Sequence, residues 1–272
     1  MALGLDCPIG LPRAYAARHE ASAPHFPAFL RRLATPPERL QGFLQVAATL
    51  GEVGPGRPFY PARPAAGMTR AAHATALGLP GADALLRACD RATAERPAGA
   101  PPFWTLGANQ SGKAAIHAWR EVLIPALHGA APVALWPFDG PFRSLLRPGT
   151  VAIAECYPAE AMRQLGVAPL GSKRRQADRL RLVPGMRRAM AALGVEPDSA
   201  TAALLQDGFG QDAAGEDRLD CVLGALGTLG VAAGRRTDEA PNDPWIQRWE
   251  GWVLGQTALP RGPTLRDLRL AR

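Results

Sequence analysis

Thr150-Val151-Ala152-Ile153-Ala154-Glu155-Cys156 is an apolar run of strand length that ends in an acid, and it fits a parallel strand covered on both faces. Pro132 to Phe138 has the same character. The opening residues Ala2 to Cys7 make a third such run, closed by Asp6 and followed by Pro8-Ile9-Gly10-Leu11-Pro12, where Pro and Gly end regular structure and force a turn. In parallel α/β sheets ligands bind beyond the carboxyl ends of the strands, so Asp6 and Glu155 are the first candidates for chemistry.

Outside these runs the pattern is mostly helical. Thr35-Pro36-Pro37-Glu38 is a capping box with Pro at the first helical position, and Leu40, Phe43, Leu44, Ala47 and Leu50 follow at helical spacing. Gly51 to Gly67 and Arg96 to Pro102 are Gly- and Pro-rich loops on either side of a helix at about 82–95. Phe103 to Leu106 reads as a short strand, and Ser111 starts a helix with Ile116, Trp119, Val122, Leu123 and Ala126 on one face. Farther on, Lys173 to Val183 and Pro184 to Leu193 read as two helices split by Pro184-Gly185. Asp198 to Leu205 is a third, and about 213–229 a fourth. The expected class is therefore α/β: one domain over 1–272, with a helical and loop insertion at about 20–130.

A chain of 272 residues can bury one large core, and 47% hydrophobic with 20% charged residues is the balance of an ordinary globular protein. No apolar run approaches the roughly 20 residues needed to cross a bilayer, so no membrane partner is expected. Met1-Ala2-Leu3-Gly4-Leu5-Asp6 has no basic leader and does not read as a signal peptide. Cys7, Cys89, Cys156 and Cys221 lie far apart with no zinc-ligand spacing, which fits reduced thiols and a cytoplasmic protein. The net charge of +7 favours a polyanion, yet of 31 basic residues only Lys113 and Lys173 are lysines, a bias that coding alone can produce. Local distribution must decide.

Asp217 and Asp220 lie one helical turn apart and face the same way. With Asp6 and Glu155 they offer the oxygen donors that Mg²⁺ or Mn²⁺ takes, and two such ions about 3.5 to 4 Å apart perform phosphodiester hydrolysis. The same acids also suit turn caps and a solvated first turn favoured by the helix dipole. Lys173, Arg174, Arg175, Arg179, Arg181, Arg187 and Arg188, against one acid, Asp178, form the densest positive stretch. Lys173, Arg174 and Arg175 are the candidate contacts for a nucleic-acid phosphate, the alternative being a solvated basic helix face.

Several runs carry a resemblance. Leu5-Asp6-Cys7-Pro8-Ile9-Gly10-Leu11-Pro12, Leu135-Trp136-Pro137-Phe138-Asp139-Gly140, Ala154-Glu155-Cys156-Tyr157-Pro158-Ala159-Glu160-Ala161, Asp217-Arg218-Leu219-Asp220-Cys221-Val222-Leu223 and Glu250-Gly251-Trp252-Val253 together resemble, in order along the chain, an uncharacterised bacterial family of predicted RNase H-like nucleases. The resemblance implies an RNase H-like mixed sheet flanked by helices, with Asp6 ending its fourth strand, Glu155 its fifth, and Asp217 and Asp220 on the last core helix. It implies a metal-dependent nuclease with Asp6, Glu155 and Asp220 as ligands of Mg²⁺ or Mn²⁺, Asp217 as an auxiliary and Lys173 on the phosphate. The family pattern also has a preceding three-strand meander bearing another aspartate, which this sequence lacks. The expected sheet is thus incomplete at its N-terminal part. A wrongly assigned start, a degraded copy or completion by another chain would each account for that, and a catalytically inactive module that binds nucleic acid or protein is the alternative function.

Other motifs are weaker. Gly107-Ala108-Asn109-Gln110-Ser111-Gly112-Lys113-Ala114 has the spacing of a phosphate-binding loop, with Asp139 as a possible second acid, but Ala114 stands where Mg²⁺ needs Ser or Thr. Ser111 is expected to cap a helix instead. Asp207-Gly208-Phe209-Gly210-Gln211-Asp212 lacks the acids of a calcium loop. His19, His25, His73, His117 and His128 have no partner spacing, and Trp245, Trp249 and Trp252 are expected to seal a core.

Overall fold

The computed structural model describes residues 1–61, 69–107 and 110–261. The three apolar runs form strands β1 (Ala2–Leu5), β2 (Val133–Leu135) and β3 (Val151–Glu155). They pair in the order β1-β3-β2, all parallel, with Leu3 opposite Ile153 and Ala134 opposite Ala152. The class is α/β as expected. Among the described residues the sheet is purely parallel rather than mixed, and Phe103 to Leu106 adds no strand to it.

Ten helices accompany the sheet among the described residues: α1 (Arg13–Ala16), α2 (Phe26–Arg32), α3 (Arg70–Ala76), α4 (Ser111–Ala118), α5 (Ile124–His128), α6 (Phe142–Leu145), α7 (Pro158–Gln164), α8 (Gln176–Leu193), α9 (Ser199–Gln206) and α10 (Gly215–Ala232). The insertion is built from short pieces. The helix expected after Glu38 is one 3-10 turn, Glu38–Leu40, because the chain bends there to put Leu40 and Phe43 into the aromatic core. Ser111 does not cap α4: its hydroxyl donates to Pro101 O at 2.6 Å. Ala108 and Asn109 of the phosphate-loop spacing lie outside the described residues.

Strand alternation sorts the sheet into two unlike faces. Leu3, Leu5, Leu135 and Ile153 meet a core made largely by the insertion, where Phe26, Phe29, Phe43, Phe59, Phe103 and Trp119 are each fully buried. Burial of such rings stabilises by roughly 2–3 kcal/mol apiece. On the other face Gly4, Ala134, Ala152 and Ala154 are small, which lets α10 and the Trp136–Trp252 cluster approach closely. A third cluster joins α7, α8, α9 and α10 through Met162, Met186, Leu205, Phe209, Leu219 and Leu223. Trp249 and Trp252 are buried, as expected, and Trp245 is half-buried under the Arg13 guanidinium. No helix among the described residues is long and apolar enough to cross a membrane.

Candidate functional site

The carboxyl ends of β1 and β3 lie side by side, and Cys156 N–H donates to Leu5 O at 2.8 Å, so the pairing continues one residue past each strand. Alternation then sends consecutive side chains to opposite faces. Glu155 leaves on the insertion side with Leu5. Asp6 leaves on the α10 side with Gly4 and Cys156, whose thiol donates to Gly224 O of α10.

On the α10 side, Asp220 accepts Lys173 Nζ on both oxygens, at 2.6 and 2.7 Å. Lys173 is held in turn by its own carbonyl, which accepts Arg179 Nη1 at 2.6 Å. Arg179 is buried, and it also donates to Gly208 O and Gly210 O. The Asp207–Asp212 loop, set aside as a calcium site, therefore has its carbonyls turned onto a guanidinium. Asp6 sits close enough to Asp220, Lys173, Glu155 and Asp217 to feel the charge of each. Burial of its carboxyl, then the negative charge of Asp220, push Asp6 up to about 7 against the pull of Lys173. Asp6 also reaches solvent at the sheet edge, where the negative charges of Asp220, Glu155 and Asp217 act on it from the protein side. Asp220 is raised by burial and opposed by Lys173.

On the insertion side Glu155 is buried and takes both terminal nitrogens of Arg87, at 2.6 and 2.7 Å, together with Ile9 N–H at 2.8 Å. Arg87 is itself fully buried and donates to Asp90 through Nε at 2.9 Å and Nη2 at 2.8 Å. Its charge is held firmly. Burial raises Glu155 while Arg87 pulls it back. Cys89, Asp90 and Glu155 each bring a ligand atom within 4.8 Å of the others, close enough to share a metal ion. However, Arg87 already neutralises both carboxylates, and burial drives the Cys89 thiol well above its ordinary value, against the thiolate that a metal takes.

The structure puts Asp6 within electrostatic reach of Asp220, Asp217, Lys173 and Glu155, but it does not gather Asp6, Asp220 and Glu155 into one donor group: among the described residues the group whose ligand atoms lie within 4.8 Å of one another is Cys89, Asp90 and Glu155. Arg174 Nε lies 3.8 Å from Glu216 and Arg175 Nε 2.6 Å from Asp178, so both are exposed partners of acids. Arg181 shares Asp178. Arg87, Asp90 and Glu250 were not read from the sequence as site residues. No family model, curated protein or solved structure matches this chain. Every role assigned to a residue therefore rests on the geometry around it.

Proposed function

We propose that this chain is a metal-dependent hydrolase of nucleic-acid phosphodiesters, acting at the open end of β1. The observation that carries the reading is that Asp6, at the carboxyl end of a parallel strand, feels the charges of Asp220 and Asp217 on α10 and of the Lys173 that Asp220 holds. Carboxylates that repel one another in this way attract Mg²⁺ or Mn²⁺, hard cations that favour oxygen donors. Asp6 and Asp220 would be the ligands and Asp217 an auxiliary. A bound divalent ion supplies a water of lowered pKa and stabilises a leaving oxygen.

The chain's own residues do the rest. Lys173 is held by both oxygens of Asp220, and a divalent ion taken up by Asp220 would free it for a phosphate oxygen, while Arg174, Arg175 and Arg181 each keep more than half of the side chain exposed. Glu155 we read as the anchor of β3 rather than a ligand, since its oxygens are taken up by Arg87 and Ile9. The β1-β3 pair with α10 across it is compatible with an RNase H-like sheet, and the free cysteines with a cytoplasmic location. The test is nicking of DNA and RNA with Mg²⁺ or Mn²⁺: Asp6→Asn and Asp220→Asn should each abolish it, and unchanged nicking by both removes the site.

One observation favours a second reading, a non-catalytic binding module: Asp220 and Glu155 both carry internal cationic partners. That module would bind nucleic acid with strong salt dependence and show no metal-stimulated cleavage.

A further inference from the structure

Behind Glu155 the chain makes a tight crossing. The segment from Trp249 to Val253 runs across the Pro8–Leu11 turn, with Leu11 N–H donating to Trp249 O at 2.8 Å and Leu254 N–H to Glu155 O at 2.9 Å. A methyl group on Gly10 would lie 1.9 Å from Glu250 O, and one on Gly251 2.2 Å from Ile9 O, so the two backbones touch. Glu250 sits at this contact, only 3% exposed, and its Oε1 accepts a single main-chain donor, Arg13 N–H, at 3.1 Å.

The charges around Glu250 do not balance. From the turn at 87–90 it faces Arg87, Asp90 and Cys89, from the loop before it Asp243, and beyond Arg87 lies Glu155 of β3. The nearest charge on α1, the Arg13 guanidinium, is turned away over Trp245, at 5.0 Å from the ring. One buried guanidinium therefore serves three buried carboxylates, and it is spent on two of them, Asp90 and Glu155; Glu250 receives none of its side-chain bonds, although its backbone carbonyl accepts Arg87 Nη1 at 3.3 Å. A carboxylate buried without a cation takes up a proton rather than remain charged.

We propose that Glu250 is a pH latch: the crossing closes with a proton on Glu250, and loss of that proton loosens the Pro8–Leu11 turn from Trp249 to Val253. Burial pushes the Glu250 carboxyl up from 4.5 to about 7, against the Arg13 N–H and Arg87. The folded form thus holds a proton that the unfolded chain has already lost above 4.5. The stabilisation is complete below about 4.5, shrinks as pH rises from there, and is gone by about 7. Because the turn follows Cys7 directly, its opening also displaces the end of β1 that carries Asp6.

The test compares wild type with Glu250→Gln by urea unfolding from about pH 5 to about pH 8. Glutamine keeps an acceptor for Arg13 N–H and needs no proton. The ratio of wild-type to variant unfolding constants should rise about tenfold per pH unit up to about 7 and then level off. A ratio independent of pH overturns the latch. Should the variant fail to fold, amide exchange of the wild type decides: protection of Leu11 must drop as pH rises from about 5 towards 7 and level off above it, while Leu223 in α10 keeps its own. Equal behaviour of the two amides overturns the proposal as well.

Discussion

Arg87 donates to Glu155 through both terminal nitrogens and to Asp90 through Nε and Nη2, at a place water does not reach. Two carboxylates lose their only cation if it is removed, so Arg87→Met should cost about 3–5 kcal/mol of unfolding free energy in urea titration. Glu155→Gln keeps the shape and leaves Arg87 its bonds to Asp90, and should cost less, about 1–3 kcal/mol. The two faces of the sheet end also separate the roles of the acids. Asp6→Asn should abolish Mn²⁺ binding measured by calorimetry, whereas Glu155→Gln should weaken it by less than about threefold; a full loss of binding in Glu155→Gln would return Glu155 to the ligand set. Little of the Arg87 cluster was legible in the sequence, because Arg87 and Glu155 stand 68 residues apart and no local spacing announces the pair. Asp217 and Asp220 were legible, since a three-residue step on a helix fixes a shared face. The Lys173–Asp220 pair required the tertiary fold.

Among the elements, the strands were the most legible part of the fold, since a continuous apolar run between turn residues has few other uses: the Thr150–Cys156 run holds the strand Val151–Glu155, while the Pro132–Phe138 run is strand only over Val133–Leu135 and turns at Trp136. The break expected at Pro184 did not appear: α8 runs unbroken from Gln176 to Leu193. Pro184 and Leu180 are both exposed there, so the turn that lacks the N–H lies on the solvent side of the helix rather than in the core. The helix read over Asp198 to Leu205 forms as α9, and Asp198 caps it by accepting Thr201 N–H at 2.7 Å. The closeness of α10 to the sheet was hidden, although Gly4 encodes it: a Cβ there would lie 2.6 Å from Thr228 Oγ1 and 3.2 Å from Cys156 Cβ. Gly4→Ala should therefore push α10 away from β1 and lower stability by about 1–3 kcal/mol. Pairing it with Thr228→Ala removes the nearer obstacle and should restore part of the loss in the same melt. Equal stability of Gly4→Ala and wild type would mean that α10 does not pack on β1 as described.

Across the whole molecule, buried titratable groups of opposite kind set the pH dependence of stability. His19 is buried between the rings of Tyr15 and Phe29, and neither of its ring nitrogens has a partner among the described residues. Burial, helped by Arg39, Arg18 and Arg32, lowers it from 6.5 to about 4, and burial does the same to His73 against the hydrogen bond that its Nε2 donates to Pro58 O. Between about 6.5 and 4 the unfolded chain binds protons that these folded imidazoles refuse, so each histidine makes stability rise with pH there, by up to about 1.4 kcal/mol per unit. Glu250 works in the opposite sense from 4.5 to about 7, and Asp6 adds to it with a smaller, solvent-screened effect. The slopes oppose each other below about 6.5; above it the contribution of these histidines ends while that of Glu250 continues to about 7. His19→Phe removes one rising slope and two unpartnered nitrogens. Its advantage over wild type should be about 1 kcal/mol at neutral pH and should grow about tenfold in the unfolding constant for each pH unit below 6.5, read from urea midpoints. Parallel profiles for the two proteins would show that His19 takes up its proton in the folded state as readily as in the unfolded chain, and that its apolar surroundings do not hold it neutral.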